Sequence, residues 1–148
     1  MSKKENRFYI ELPSGWMDQT VYVFQGPNVA GIDHSIMLTI DRNLQHDNIE
    51  NMAYEKTSPI VEALDGVEVL KDEEITIADG NPAWDFVYKW IPADNIKLFC
   101  KYVFVIKDGM GFTFFGKFTK QTLKTLGAQM KQVIESFLPG TYEPLEED

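Results

Sequence analysis

Few side chains in this sequence combine the type and the spacing that catalysis or metal binding requires. The single cysteine, Cys100, lies in an alternating pattern typical of a strand, and neither His34 nor His46 is near it. A nucleophile needs a base beside it, so we interpret Cys100 as a small buried apolar residue. A metal site of His34 with Asp33 or Asp41 is conceivable, but two loop residues fall short of a ligand set, and solvated side chains are the better interpretation.

Other motifs with known chemistry are missing from the sequence. It contains no glycine-rich phosphate loop, no Gly-x-Ser-x-Gly turn, no Cys-x-x-Cys pair and no His-Glu-x-x-His pattern. The acidic run Asp72–Glu74 is typical of an exposed turn rather than of paired catalytic carboxylates. We therefore predict a binding protein that is not an enzyme, with no catalytic residues, no metal and no cofactor.

The composition of the 148 residues limits the class of partner. A formal net charge of -9 argues against binding to nucleic acid or insertion into an anionic membrane, because both need an excess of Lys and Arg. The start of the chain lacks the apolar segment of a secretory signal, and a single cysteine suits a reducing compartment. We predict one cytoplasmic domain over residues 1–148, with residues 142–148 as a flexible acidic tail.

The elements that would position a binding surface are mainly strands. In three consecutive central segments the apolar residues follow the two-residue period of a strand, and turn residues separate the segments. The central strands are Trp84–Trp90, Lys97–Lys107 and Phe112–Phe118, separated by turns at Ile91–Asn95 and Asp108-Gly109. The outer segments are Phe8–Leu12, Thr20–Phe24 ending at Gln25–Asn28, Ser35–Asp41, and a strand or pair of strands near an edge at Val67–Leu70 and Glu74–Ile77.

Two segments have helical spacing instead. The first begins with Asp47 or Asn48 as the N-cap, and Pro59 either kinks it or starts a second short helix; we favour one kinked helix ending at Asp65-Gly66. The second is an amphipathic helix that Thr119 caps and that ends before Pro139. These patterns predict an α+β fold, with an antiparallel sheet of about six to seven strands and two main helices.

A sheet with apolar residues on both faces needs cover on both. We expect the aromatic face of Trp84, Phe86, Tyr88 and Trp90 to pack under a helix as core. The face that carries Val21, Val23, Leu98, Cys100 and Tyr102 mixes apolar side chains with a few hydrogen-bonding groups. Such a surface suits an apolar ligand that also shows small polar groups, as a transmembrane helix does.

The segment Leu12–Phe24 resembles the Eag family of type VI secretion chaperones, which is DcrB-like or PsbP-like in fold. The resemblance covers nearly the whole chain and continues at Asp65-Gly66, Gly80–Ala83, Tyr88–Trp90, Lys101–Val105 and the last helix. It implies a cytoplasmic homodimer with a curved, PsbP-like antiparallel sheet. The concave side would shield the hydrophobic N-terminal transmembrane segments of a cognate PAAR/Rhs-type toxin before the toxin is loaded on the secretion spike.

The resemblance also implies a client groove. Carried over to this sequence, its residues are Val21, Val23, Met37, Thr39, Lys56, Ile60, Leu64, Leu98, Cys100 and Tyr102. For Val21, Val23 and Leu64, a place in the core is an equally good interpretation. The sequence departs from the family at Lys56 and Tyr102, where glutamines are expected, and at Pro59, where no proline is expected.

Two other functions stay open on the sequence alone. The first alternative is a non-catalytic scaffold or regulator of a soluble partner with the same fold. A weaker one is an enzyme or ligand carrier that uses a cavity on the sheet. The neighbouring reading frame separates them, because the chaperone hypothesis expects a PAAR or Rhs toxin with paired apolar segments near its N-terminus.

Overall fold

The computed structural model describes residues 9–42, 44, 48–77, 80–93 and 96–138. Over these residues the chain forms one six-stranded sheet and two helices. The elements are β1 (Val21–Val29), β2 (Ile32–Asp41), α1 (Ile49–Ala63), β3 (Glu68–Thr76), β4 (Pro82–Ala93), β5 (Ile96–Lys107), β6 (Met110–Phe118) and α2 (Lys120–Glu135). Every pair of neighbouring strands is antiparallel, in the order β1-β2-β6-β5-β4-β3. The predicted α+β fold is confirmed.

The N-terminal segment differs from the prediction of a strand at Phe8–Leu12. Phe8 is outside the described residues, and residues 9–12 are not part of the sheet. Tyr9 and Ile10 are exposed, so this short apolar run has no packed surface to hold it as a strand. A turn follows, closed by a hydrogen bond from the Trp16 amide to the Pro13 carbonyl.

The first hairpin is longer than the sequence pattern indicates. β1 does not end at Gln25–Asn28, because a bulge between Gln25 and Asn28 absorbs Gly26 and Pro27 and the strand continues to Val29. Ala30 and Gly31 both have positive φ, at 57° and 77°, as a tight two-residue hairpin turn requires. β1 and β2 therefore form one long hairpin at one end of the sheet.

Two other turns predicted from the sequence are strand residues. The segments at Val67–Leu70 and Glu74–Ile77 join into one strand, β3, with an irregularity between Val69 and Lys71. β3 lies at the edge of the sheet, as predicted. Ile91–Ala93 belongs to β4, where an irregularity after Trp90 accommodates Pro92; residues 94 and 95 are outside the described residues.

The helix α1 is a single helix that contains Pro59, as predicted. Its N-cap is Asn48, whose side-chain oxygen accepts a 2.7 Å hydrogen bond from the Asn51 amide; Asp47 is outside the described residues. The helix ends at Ala63, slightly before the predicted Asp65-Gly66. The chain then turns through Gly66, which has a positive φ of 73°.

Replacing Pro59 with alanine is expected to raise the free energy of unfolding by about 1–2 kcal/mol. Proline has no amide hydrogen for the helix and crowds the preceding turn, and the lower entropy it gives the unfolded chain offsets only part of that cost. Pro59 is exposed, so the change leaves no cavity. Urea denaturation of Pro59→Ala beside the neighbouring surface variant Glu62→Ala measures the effect. A loss of stability in Pro59→Ala alone would contradict the expectation.

The helix α2 begins after Thr119, which caps it as predicted. The Thr119 and Thr122 side chains each accept a hydrogen bond from the backbone amide of the other. Met130 and Ile134 are buried on the helix face that contacts β5 and β6. The predicted acidic tail at residues 142–148 is outside the described residues.

The register places each strand's side chains on one of two faces, since directly paired residues share a face. The α1 face packs under α1 and includes Phe86, Tyr88, Cys100 and Phe104. The α2 face packs under α2 and includes Val103, Val105, Phe112 and Phe114. The prediction that the aromatic face of β4 and the Leu98–Tyr102 face are separate is wrong. Phe86 pairs with Tyr102, Tyr88 with Cys100 and Trp90 with Leu98, so they form one face.

Two glycines of β6 give each helix a place for a buried methionine. A Cβ at Gly111 would be 2.9 Å from the Met52 Cε atom of α1, and one at Gly116 would be 2.8 Å from the Met130 sulfur of α2. Both methionines are almost completely buried. The absence of side chains at Gly111 and Gly116 thus lets α1 and α2 approach the two faces of the same strand.

Candidate functional site

All ten residues of the predicted client groove lie on the α1 face, on α1 or at the C-cap of α1, which is Leu64. Val21 pairs with Thr39 and Val23 with Met37. Met37 pairs in turn with Phe115 of β6, and Phe115 pairs on its other side with Tyr102 of β5. Residues far apart in the sequence are therefore brought to a single surface.

The part of this surface on β1 and β2 lacks cover from α1, which contacts β4 and β5. We call Val21, Val23, Met37 and Thr39 the open half of the α1 face. Val21 is 48% exposed, Val23 58% and Met37 37%, which is high for apolar side chains that share a face with the core. Among the described residues, the open half is thus an exposed apolar surface of the sheet next to α1.

The other predicted groove residues are partly or fully covered. Four of them pack against the core under α1 and are partly buried: Ile60 of α1, its C-cap Leu64, and Leu98 and Tyr102 of β5. The Tyr102 ring lies 4.5 Å from the ring of Phe115, measured between centroids. The inclusion of Cys100 in the groove needs correction, because it is only 2% exposed and lies in that core.

The titratable groups beneath α1 are held neutral. Burial is the main factor that raises the pKa of the Cys100 thiol and of the Tyr88 and Tyr102 hydroxyls. A hydrogen bond between Cys100 and Tyr88 raises the tyrosine pKa further. A buried thiol with a raised pKa is a poor nucleophile, which agrees with the interpretation of Cys100 as an apolar packing residue.

A solvent-open cavity of about 630 Å³ lies between the open half and α1. It is lined by residues 17–21, 39–42, Lys56 and Thr113. The Lys56 ammonium is 3.9 Å from an Asp41 carboxylate oxygen. On the other side, an Arg42 guanidinium nitrogen is 3.5 Å from an Asp18 carboxylate oxygen. The hydrogen bond from the Thr20 hydroxyl does most to lower the pKa of Asp18. The surface thus has an apolar part and a charged, hydrogen-bonding end.

Some residues at this surface were missed by the sequence interpretation. Thr113 and Phe115 of β6 lie between the open half and Tyr102. Their alternation with Phe112 and Phe114 could have identified them, since every second residue of a strand lies on the same face. Met17 lines the cavity and is exposed, although nothing in its local pattern indicates that position.

The interpretation of His34 as a solvated loop residue is wrong. His34 lies in β2 and is buried on the α2 face. Its Nδ1 atom donates to the Pro27 carbonyl at 3.2 Å, since a carbonyl can only accept, and its Nε2 atom forms a 3.0 Å hydrogen bond with the Thr122 hydroxyl. This histidine joins the first hairpin to the start of α2. Within the described part of the chain, no group of three or more His, Cys, Asp or Glu side chains could hold a metal ion.

None of the helices in the described ranges has the length and apolar character needed to cross a bilayer.

Three solved structures share the fold of this chain. Their sequence identities to it are low, so the similarity concerns the fold and not the function. PA94 of Pseudomonas aeruginosa, a protein of unknown function described as a candidate regulator, has a TM-score of 0.74 at 19% identity, over 90% of this chain and 92% of its own. PsbP of the cyanobacterium Synechocystis sp. PCC 6803 has a TM-score of 0.52 at 12% identity, over 86% and 96%. LpqN, involved in cell envelope biogenesis of Mycobacterium tuberculosis, has a TM-score of 0.51 at 12% identity, over 81% and 80%. The PsbP-like fold is confirmed.

Comparison at the level of sequence gives a family as well. No curated protein matches the chain. The family model DcrB matches residues 9–136, which include every strand and helix described above. The chain therefore belongs to the DcrB family.

Proposed function

We propose that this protein is an Eag-type chaperone of type VI secretion, which binds the hydrophobic N-terminal segments of a toxin before secretion. The observation that carries the proposal is the open half of the α1 face. Its apolar side chains are exposed although they continue the surface that α1 covers. An exposed apolar surface of this kind marks an interaction site, and an apolar groove can hold the apolar face of a partner helix.

The chemistry of the surface fits a transmembrane segment. Such a segment in water is stabilised by about 25 cal/mol for each Å² of apolar surface that a partner buries. Its small polar groups also need hydrogen bonds, and Thr39, Thr113 and Lys56 line the cavity beside the open half. The apolar part would hold the helix, and the polar end would pair with its hydroxyl, amide or carbonyl groups.

The resemblance to Eag chaperones supports further parts of the proposal. The protein acts in the cytoplasm as a homodimer, catalyses no reaction, needs no cofactor, binds no nucleic acid and does not insert into the membrane. Its client is a PAAR/Rhs-type toxin that the neighbouring reading frame encodes. The net charge of -9 is compatible with this role, because the apolar contact requires no basic surface on the chaperone.

The test is co-expression with the N-terminal region of the adjacent large toxin, followed by size-exclusion chromatography with light scattering. A soluble complex with two copies of this chain, formed by a fragment that is insoluble alone, is the expected result. A fragment that stays soluble alone and forms no complex would refute the chaperone function. In that case the protein is better explained as a scaffold or regulator of a soluble partner.

Replacing Met37 with aspartate is expected to abolish most of the client-stabilising effect while leaving the chain folded. Met37 is exposed in the middle of the open half, so a carboxylate there costs the fold little but must lose water when an apolar helix binds. The yield of soluble toxin fragment measures the effect, with circular dichroism as the check on folding.

The matched control is Val133→Asp, which places the same carboxylate at an exposed apolar site on α2. That variant should keep the client soluble. If the yield of soluble toxin fragment falls equally with both variants, or falls with neither, the client does not bind at the open half.

A further inference from the structure

The two edges of the sheet differ sharply in how they are protected. β3, at one edge, carries five charged side chains, which are Glu68, Lys71, Asp72, Glu73 and Glu74. β1, at the other edge, has none in the sequence VYVFQGPNV. Charges on an edge strand hinder the addition of another strand, and a long apolar edge favours it. Only the β3 edge has the composition expected of a strand that stays exposed.

β1 exposes apolar residues on both faces of the sheet. Val21 and Val23 lie on the α1 face, whereas Tyr22 and Phe24 lie on the α2 face and are 44% and 52% exposed. The rings of Tyr22 and Phe24 are stacked, with centroids 6.4 Å apart and planes only 7° apart. A client helix on the α1 face would leave this flat aromatic pair in water. A partner that adds a strand to the edge covers both faces.

We infer that β1 pairs with β1 of a second copy, antiparallel and centred on Val23. This inference rests on the proposed function for the expectation of a dimer and adds where the dimer forms. The bulge between Gln25 and Asn28, with Pro27 inside it, leaves Val21–Gln25 as the regular part of the edge. Centring on Val23 pairs each Tyr22 with Phe24 of the other copy, and cross-strand aromatic pairs are favourable.

The charge of the chain favours the same location. Each copy carries a net charge of -9, so two copies repel each other over most of their surfaces. A contact through β1 brings together two strands without any charged side chain. Contact through β3 would instead oppose acidic side chains, which is unfavourable across a strand pair.

Pairing at β1 also completes the client surface. A two-fold axis perpendicular to the sheet keeps both α1 faces on the same side. The open halves of the two copies then meet at the centre of one continuous surface, with an α1 helix on either side of it. The second copy thus contributes its own Val21, Val23, Met37 and Thr39 to the client surface, and a single chain provides only one half of that surface.

Disulfide crosslinking of the purified protein without client tests the inference. Cys100 is the only cysteine, so Cys100→Ala provides a background free of thiols. In that background Val23→Cys faces itself across the proposed ladder and should form a covalent dimer on mild oxidation. The matched control is Val69→Cys, which is exposed on the same face of the other edge strand and should stay mostly uncrosslinked.

Light scattering of a second variant gives an independent result. Phe24→Lys should shift the mass from two copies to one while circular dichroism stays unchanged, because it puts a charge on the edge strand next to the central Val23, where Phe24 faces Tyr22 of the other copy. Equal crosslinking at Val23 and Val69, a monomeric parent protein, or a Phe24→Lys variant that stays dimeric would each overturn the inference. The toxin fragment takes no part in these measurements, so failure of the chaperone function leaves their outcome unaffected.

Discussion

Replacing Asp85 with alanine is expected to lower the free energy of unfolding by about 3–5 kcal/mol, because it leaves a buried ammonium group without its partner. Asp85 lies on β4 with its side chain 6% exposed, and the side chain of Lys101, on the neighbouring strand β5, is 11% exposed. The Lys101 Nζ atom donates to both carboxylate oxygens, at 2.9 and 3.0 Å. Lys71 approaches the same carboxylate at 3.7 Å.

An exposed ion pair between β4 and its other neighbour, β3, is the control for Asp85. The Lys89 ammonium is 2.9 Å from the Glu68 carboxylate, but the Glu68 side chain is 59% exposed. Glu68→Ala should therefore cost at most about 1 kcal/mol. Urea denaturation of both variants measures the difference, and equal losses would contradict the role of burial. Asp85→Leu with Lys101→Met should recover most of the loss, since an apolar pair needs no compensating charge.

Replacing Met130 with alanine is expected to cost about 2–5 kcal/mol, through lost burial and the cavity left behind. Met130 is 1% exposed and packs in the core between α2 and the sheet. Gly116→Ala should also destabilise, by about 1–3 kcal/mol, because its new Cβ would lie 2.8 Å from the Met130 sulfur.

The double variant Gly116→Ala/Met130→Ala tests whether the two effects share one cause. If the glycine exists to seat the methionine, the added methyl group fills part of the cavity, and the double variant loses less stability than the sum of the single variants. The exposed neighbour Val133→Ala should lose under about 1 kcal/mol. Additive losses in the double variant would show that Gly116 is needed for another reason.

The sequence predicted strands and helices correctly where apolar residues recurred with a regular period along one face of a strand or one stripe of a helix. The alternation in β4, β5 and β6 predicted three antiparallel neighbours, and the Thr119 cap predicted the start of α2; both predictions are confirmed. It was uninformative about register. Whether Phe86 shares a face with Tyr102 depends on how many residues the connection between β4 and β5 uses, and the irregularity after Trp90 alters that count.

The candidate site shows the same limit in another form. Strand parity placed Val21 with Val23, and Met37 with Thr39. The resemblance to the Eag family joined the two pairs in one groove, and the register puts all four on one face. Burial of Cys100 and His34 depends on which helix lies above each position, and local spacing contains no such information. The exposed N-terminal run at residues 9–12 had a strand's alternation but no partner strand, and pairing rather than pattern decides whether a strand forms.

The order of the strands also has a consequence for how the protein folds. β4, β5 and β6 pair with their neighbours in sequence, whereas the β1–β2 hairpin joins the rest through β2 and β6, where Ile36 pairs with Gly116. Closing so long a loop is entropically slow, so we expect this hairpin to dock last and to open first in native-state hydrogen exchange. A nascent chain would then gain its open half only once α2 has been synthesised, since His34 bonds to Thr122 at the start of that helix.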